Sequence, residues 1–161
     1  MLKKKNLNNK NNVNNVVRPN KFLQALQLPV IANINPRSVY NKTEEFHTFV
    51  KEEEVDLLFM SESWEREHLQ LNDIIQLEDH MVISNVYQRT GKGGRPALVV
   101  NKEKYHVQDI TNTLVNVKWG VEAVWCLLTP KNVTKESKIQ KIACAAIYSK
   151  PGSKHKSGSF V

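Results

Sequence analysis

The sequence predicts an α/β fold in a single domain. Three observations carry that reading: a strand, helix, strand pattern in the first half, paired apolar runs in the second, and a length of 161 residues. That length buries one core and is short for two.

The first strand is read from "LPVIANIN", where Val30 to Ile34 form a short apolar run that ends at Asn33-Ile34-Asn35 and is closed by Pro36. A helix follows in "NKTEEFHTFVKEEE". Asn41 stands three residues before Glu44, the spacing of a capping box, and Phe46, Phe49 and Val50 fall on one helical face. "VDLLFM", Val55 to Met60, is a continuous apolar run of strand length, as expected of a strand covered on both faces. A β-α-β unit is the economical solution, with the two strands parallel and their C-terminal ends on one edge. Asn33 and Glu62 then emerge there together, and open α/β sheets bind ligands outside such strand ends. The second half reads as antiparallel. "MVISNVYQR" and "PALVVN" make a hairpin through a turn at Gly91 to Gly94, because glycine permits the positive φ of a tight reversal. "VEAVWCLL" and "QKIACAAIY" make a second pair, joined by a polar loop from Thr129 to Ser137.

Both ends differ in character. Residues 1–21 are rich in Asn and Lys and read as a disordered tail, since such composition cannot bury enough apolar surface to offset its ordering entropy. Residues 151–161, with Pro151, Gly152 and Gly158, read as a flexible tail. The net charge of +7 comes from 23 basic and 16 acidic residues. Lys3, Lys4, Lys5, Lys10, Arg18 and Lys21 supply six of the cations with no acid among them, so the remaining 17 basic and 16 acidic residues nearly cancel. The basicity therefore belongs to the tail, not to a face of the domain. Cys126 and Cys144 lie in strand-like runs without a C-x-x-C pair, which points to buried free thiols rather than a disulfide framework or a zinc site. No apolar run reaches the roughly 20 residues that span a bilayer, and no apolar segment follows the basic start as in a secretory signal. The expected location is intracellular, nuclear or cytoplasmic, without membrane partners; the sequons at Asn41 and Asn132 are then chance matches.

Glu62 is the first candidate for chemistry. Magnesium takes hard oxygen ligands, keeps several waters and needs only one or two protein carboxylates, so one fixed Glu suffices as an anchor. A solvated acid at a strand end is the plain alternative. Asn33 and Asn35 can offer amide oxygens to a metal shell or N–H groups to a phosphate, or serve as turn residues. "TGKGGRP" lacks phosphate-loop spacing and opens no helix. The five histidines form no metal-ligand pattern and read as structural or surface residues. Trp125 reads as core, whereas Trp64, beside Glu62, can stack on a base.

Together "IANINPRS", "LLFMSESWE", "GGRPALVVN" and "IACAAIYSKPG" resemble, in order, the opening motifs of the endonuclease/exonuclease/phosphatase superfamily, closest to the N-terminal endonuclease domains of non-LTR retrotransposon proteins. The likeness covers about Leu28 to Gly152 and implies a partial domain over residues 28–150. It implies an incomplete β-sandwich with flanking helices, the first part of a four-layer fold. It implies Mg2+ or Mn2+ as cofactor, with Glu62 and Asn33 at the ion and Tyr148 at the scissile phosphate. Asn35, Arg37 and Trp64 would bind a nucleic-acid substrate, DNA being favoured. The Asn33 to Glu62 interval of 62 − 33 = 29 residues is similar to the family's. Pro36 stands where the family has Gly, and the later motifs, G-D-x-N and S-D-H, do not occur. The resemblance thus implies an N-terminal fragment of a phosphodiester-hydrolysing domain, inactive alone, with open sheet edges and marginal stability. Other readings are a non-catalytic nucleic-acid binder acting through its basic tail, and an inert retroelement relic.

Overall fold

The computed structural model describes residues 13–17, 28–64, 70–84, 94–111, 121–132 and 141–149. They form a mixed α/β structure with strands β1 (Val13–Val17), β2 (Ile31–Ile34), β3 (Leu57–Met60), β4 (His80–Ser84), β5 (Ala97–Asn101), β6 (Tyr105–Asp109), β7 (Val121–Pro130) and β8 (Ile142–Ser149). Helix α1 (Thr43–Glu52) joins β2 to β3, and α2 (Leu71–Ile75) precedes β4. A five-stranded sheet has the order β1-β2-β3-β5-β4, and a three-stranded sheet the order β6-β7-β8.

The β-α-β expectation holds. β2 and β3 are parallel, with Asn33 opposite Phe59 and Ile34 opposite Met60. Alternation along β3 explains its unbroken apolar run, because each face meets a different core. Leu58 and Met60 enter a cluster with Phe46 and Val50 of α1 and Leu71 and Ile75 of α2, and Phe49 packs at its margin. Leu57 enters a second cluster with Leu98 and Val100 of β5, Val124, Cys126 and Leu128 of β7, and Cys144 and Ala146 of β8. The helices therefore cover one face of the first sheet and the second sheet packs on the other, a sandwich-like arrangement.

Both antiparallel pairs of the second half are present, β4 with β5 and β7 with β8. The hairpin turn at residues 91–93 and most of the β7–β8 loop lie outside the described residues. Thr129, expected in that loop, belongs instead to β7, because β6 extends the ladder by pairing His106 with Thr129 and Tyr105 with Pro130. Trp125 is not core: Val124 and Cys126 point inward, so Trp125 alternates to the outer face of the second sheet, where it is half-buried. The disordered-tail expectation is corrected for Val13–Val17, which pairs antiparallel with β2 across an irregular register. The open edge of β2 supplies backbone partners that composition cannot reveal. The rest of residues 1–21 and all of 151–161 lie outside the described residues.

Asn41 does not cap α1. The N-cap position falls at Lys42, without a side-chain cap, and the Lys42 ammonium donates to the Pro36 carbonyl instead. His47 Nε2 is 3.2 Å from the Ile75 carbonyl oxygen and His80 Nε2 is 3.0 Å from that of Val55, so both rings tie elements together as structural residues. His68 and His155 lie outside the described residues.

Opposite the C-terminal ends of β2 and β3, the sheet is held by Asp56. Its backbone N–H donates to the Val30 carbonyl, its carbonyl accepts from Asn101 at 2.8 Å, and its Oδ2 accepts from the Val30 N–H at 3.0 Å. Oδ1 lies 2.8 Å from the Lys104 ammonium as an ion pair. Among the described residues no helix is long and apolar enough to cross a membrane.

Candidate cation and phosphate site

The parallel register carries β2 and β3 to one edge, and their hydrogen bonding continues past the strands. Ser61 N–H donates to the Ile34 carbonyl at 3.2 Å, and Ser38 N–H donates to the Glu62 carbonyl at 3.0 Å. The loop after β2 and the loop after β3 are thus fastened to each other at Glu62. Asn33 shares the face of Phe59, toward the second sheet, and is exposed; Glu62 is half-buried. A cavity of about 310 Å³ opens here, lined by residues that include Asn33, Asn35, Phe59, Ser61 and Ile147. Its wall takes Ser61 from the end of β3, with Glu62 the next residue along the chain.

Asn35 has a local role. Its Oδ1 accepts from the Arg37 N–H at 3.1 Å, a turn that redirects the chain after β2. Arg37 is exposed and sits at φ 48°, followed by Ser38 at φ 99°. Trp64 is 39% exposed with φ 57°.

Two residues that sequence reading did not single out, Arg95 and Glu122, build the rest. Arg95 is only 7% exposed, and its carbonyl accepts from both Ser63 Oγ at 2.8 Å and Ser63 N–H at 3.2 Å. Trp64 N–H reaches the Gly94 carbonyl at 3.4 Å. Glu122 Oε2 accepts from the Arg95 N–H at 2.8 Å, and Glu122 is the cross-strand partner of Tyr148. Gly94, at φ +79°, is packed so closely that an added Cβ would stand 2.8 Å from Tyr148 Cε1. Tyr148 is thereby linked to the loop of Glu62 through Gly94 and Arg95. "GGRP", just before β5, is visible in the sequence, but only the hydrogen bond from the Arg95 N–H to Glu122 Oε2 in the folded chain shows that Glu122 meets it.

Five non-glycine residues among those described have positive φ: Arg37, Ser38, Glu54, Trp64 and Arg95. Four of them, all but Glu54, lie in these converging loops. Such conformations cost about 1–3 kcal/mol each and persist where surrounding contacts enforce them, often at functional sites.

A carboxylate and an amide are donor types that suit a hard divalent cation; Asn33 lines the cavity, and Glu62 stands in the adjoining loop, next to the lining residue Ser61. Among the described residues no cluster of three or more His, Cys, Asp or Glu side chains forms a ligand cage. No protein-family model matches the chain, and neither curated proteins nor solved structures give a significant match.

Proposed function

We propose that this chain is the N-terminal portion of a Mg2+- or Mn2+-dependent phosphodiester-hydrolysing domain of DNA-endonuclease type, built on the first layers of a four-layer endonuclease/exonuclease/phosphatase fold. The observation that carries the reading is the convergence of Asn33, the Glu62 loop and Tyr148 at one edge of the two sheets. Glu62 and Asn33 would hold the ion. When bound, such an ion polarises a phosphate oxygen and steadies the leaving oxygen. The Asn33 amide and the Tyr148 hydroxyl serve as hydrogen-bond donors to phosphate, Arg37 as a charge toward the backbone, and Trp64 as a stacking face for a base. Asn35 keeps its turn and shapes the floor.

The layer order supports the finer fold reading. Helices lie on the outer face of one sheet, while the other sheet's outer face bears Trp125, Leu127 and the 57% exposed Ile147. In a four-layer fold that outer face is covered by further helices. The 161 residues contain no G-D-x-N or S-D-H segment to orient water or protonate. General acid-base help is typically worth about 10²- to 10⁴-fold, so binding without strong turnover is the expected behaviour.

The direction of β1 favours nucleic acid as the partner. Because β1 is antiparallel to β2, Val13 stands opposite Ile34, at the edge that carries Asn33. Lys3, Lys4, Lys5 and Lys10 precede Val13 by no more than ten residues. A basic segment that precedes β1 in the chain is suited to follow a phosphate backbone. Binding through the tail and anchoring an ion at Glu62 then act on one substrate.

The test combines Mn2+ binding, read by the ion's electron paramagnetic resonance signal, with nicking of supercoiled DNA. Mn2+ binding that is lost in Glu62→Ala, with at most slow nicking, supports the reading. Efficient nicking that survives Glu62→Ala defeats it.

A further inference from the structure

The interior of the second sheet carries chemistry that the phosphodiester reading leaves unused. Cys126 of β7 and Cys144 of β8 are direct cross-strand partners. Both are free thiols, 0% and 8% exposed, and both face the cluster between the sheets. Directly opposed residues of an antiparallel pair have Cα atoms about 4.5–5.5 Å apart, inside the roughly 4.4–6.8 Å range of disulfides. The flanking pairs Trp125 with Ala145 and Leu127 with Ala143 hold this register on either side.

We propose that Cys126 and Cys144 are a redox modification site, a dithiol that closes to an intrachain cross-strand disulfide on meeting a peroxide. β8 ends the β6-β7-β8 sheet, so Cys144 lies on an edge strand and an oxidant reaches it first. A hydrogen bond from the Cys126 thiol holds Cys144 below the ordinary thiol range against the opposing effect of burial. The same hydrogen bond, then burial, pushes Cys126 up. The edge position makes Cys144 the attacking sulfur and leaves Cys126, on the central strand, as the resolving one. The Cys144 thiolate attacks one peroxide oxygen; an S–O bond forms, the O–O bond breaks and hydroxide leaves, giving a sulfenic acid. Cys126 sulfur then attacks Cys144 sulfur. The S–S bond forms, the S–O bond breaks, and the departing oxygen takes a proton and leaves as water. Overall two thiols lose two electrons and two protons, and hydrogen peroxide becomes two waters.

The bond would lock together the strands that carry Glu122 and Tyr148, each four residues along the chain from its cysteine (126 − 122 and 148 − 144). The phosphate-facing end of the β7–β8 pair would then be held covalently in its present register.

The test uses the purified full chain treated with hydrogen peroxide near equimolar concentration, then denatured. Titratable thiols are expected to fall from two per chain to none, with the intact mass lower by two hydrogens. The chain should stay monomeric on a non-reducing gel, and a digest should contain a peptide linking Cys126 to Cys144. Dithiothreitol should restore both thiols. In Cys126→Ser, which keeps a hydrogen-bond donor beside Cys144 but has no thiol to resolve it, the reaction should halt at a Cys144 sulfenic acid that dimedone traps. Survival of both thiols in the folded chain, or oxidation giving intermolecular dimers in place of the internal link, overturns the proposal. The wild-type linkage depends on no variant folding.

Discussion

Replacing Gly94 by alanine probes the contact that joins Tyr148 to the Glu62 loop. At φ +79° an L-residue is disfavoured, at a cost of about 1–2 kcal/mol. The new Cβ would also meet Tyr148 Cε1 at 2.8 Å and Glu122 Oε2 at 3.1 Å. Neither neighbour gives way freely: the ring atom belongs to a rigid plane, and the Glu122 carboxylate is engaged by the Arg95 N–H. Forcing such a contact apart costs about 1–3 kcal/mol. The two effects sum to about 2–5 kcal/mol, a large share of the stability of a small domain. With a urea slope of about 1–3 kcal/mol per molar, the midpoint should fall by at least about 0.7 M. The discriminating measurement repeats the substitution in a Tyr148→Ala background. Removing the ring relieves the steric part and leaves the backbone part, so the cost of Gly94→Ala should drop by about 1 kcal/mol or more. An equal cost in both backgrounds, or a Gly94→Ala chain with the wild-type midpoint, would refute the packing of Tyr148 on Gly94 and with it the link to Glu62.

The Tyr105 hydroxyl is pushed above its ordinary value of 10.0, first by burial, then by the Asp56 carboxylate and by Cys144. Its folded pKa lies above its unfolded one, so its contribution is whole below about pH 10 and is lost as pH rises toward the folded value; Tyr105→Phe should flatten the fall in urea midpoint above pH 10. Leu58 is 1% exposed within the helix-side core, and Leu58→Ala should cost about 2–5 kcal/mol in a denaturation series. Deleting residues 1–12 removes Lys3, Lys4, Lys5 and Lys10 but keeps β1. If all four reach phosphates, the slope of log affinity for duplex DNA against log salt should shrink by about 3.6, and an unchanged slope rules out the basic segment as a DNA contact.

The β-α-β unit was legible because its signals are local. "VDLLFM" is apolar at consecutive positions, and Phe46, Phe49 and Val50 repeat at helical spacing. β6 was not, since "YHVQD" has only Tyr105 and Val107 to turn inward and its outer positions are polar, as suits an edge strand. α2 is five residues held by Leu71 and Ile75, too short for any period to emerge. β1 was hidden by averaging: the tail's Asn and Lys composition outweighs Val13, Val16 and Val17, and the strand owes its place to pairing with β2. At the site, Asn33 and Glu62 could be assigned to one edge from strand direction alone. Arg95 and Glu122 could not, because a buried arginine reads as a turn residue until the strands that enclose it are known.

The two ends of the first sheet divide stability and strain between them. At the start of β3, Asp56 engages Val30, Asn101 and Lys104 at once; removing its side chain would free the half-buried Val30 donor and break the ion pair to Lys104. At the other end, the chain spends four left-handed non-glycine conformations on three loops. Those loops are kept in place by backbone hydrogen bonds, Ser38 to Glu62, Ser63 to Arg95 and Trp64 to Gly94, so the side chains of Glu62 and Trp64 are not needed to hold the turns. This follows from strand direction. β5 is antiparallel to β3, which sets its first residues beside the end of β3, and β7 is antiparallel to β8, which sets Glu122 beside Tyr148. Because these links use main-chain atoms, Glu62→Ala should leave the unfolding free energy within about 0.5 kcal/mol of wild type, as surface substitutions do, while removing cation binding. A large loss of stability would instead assign Glu62 a structural role.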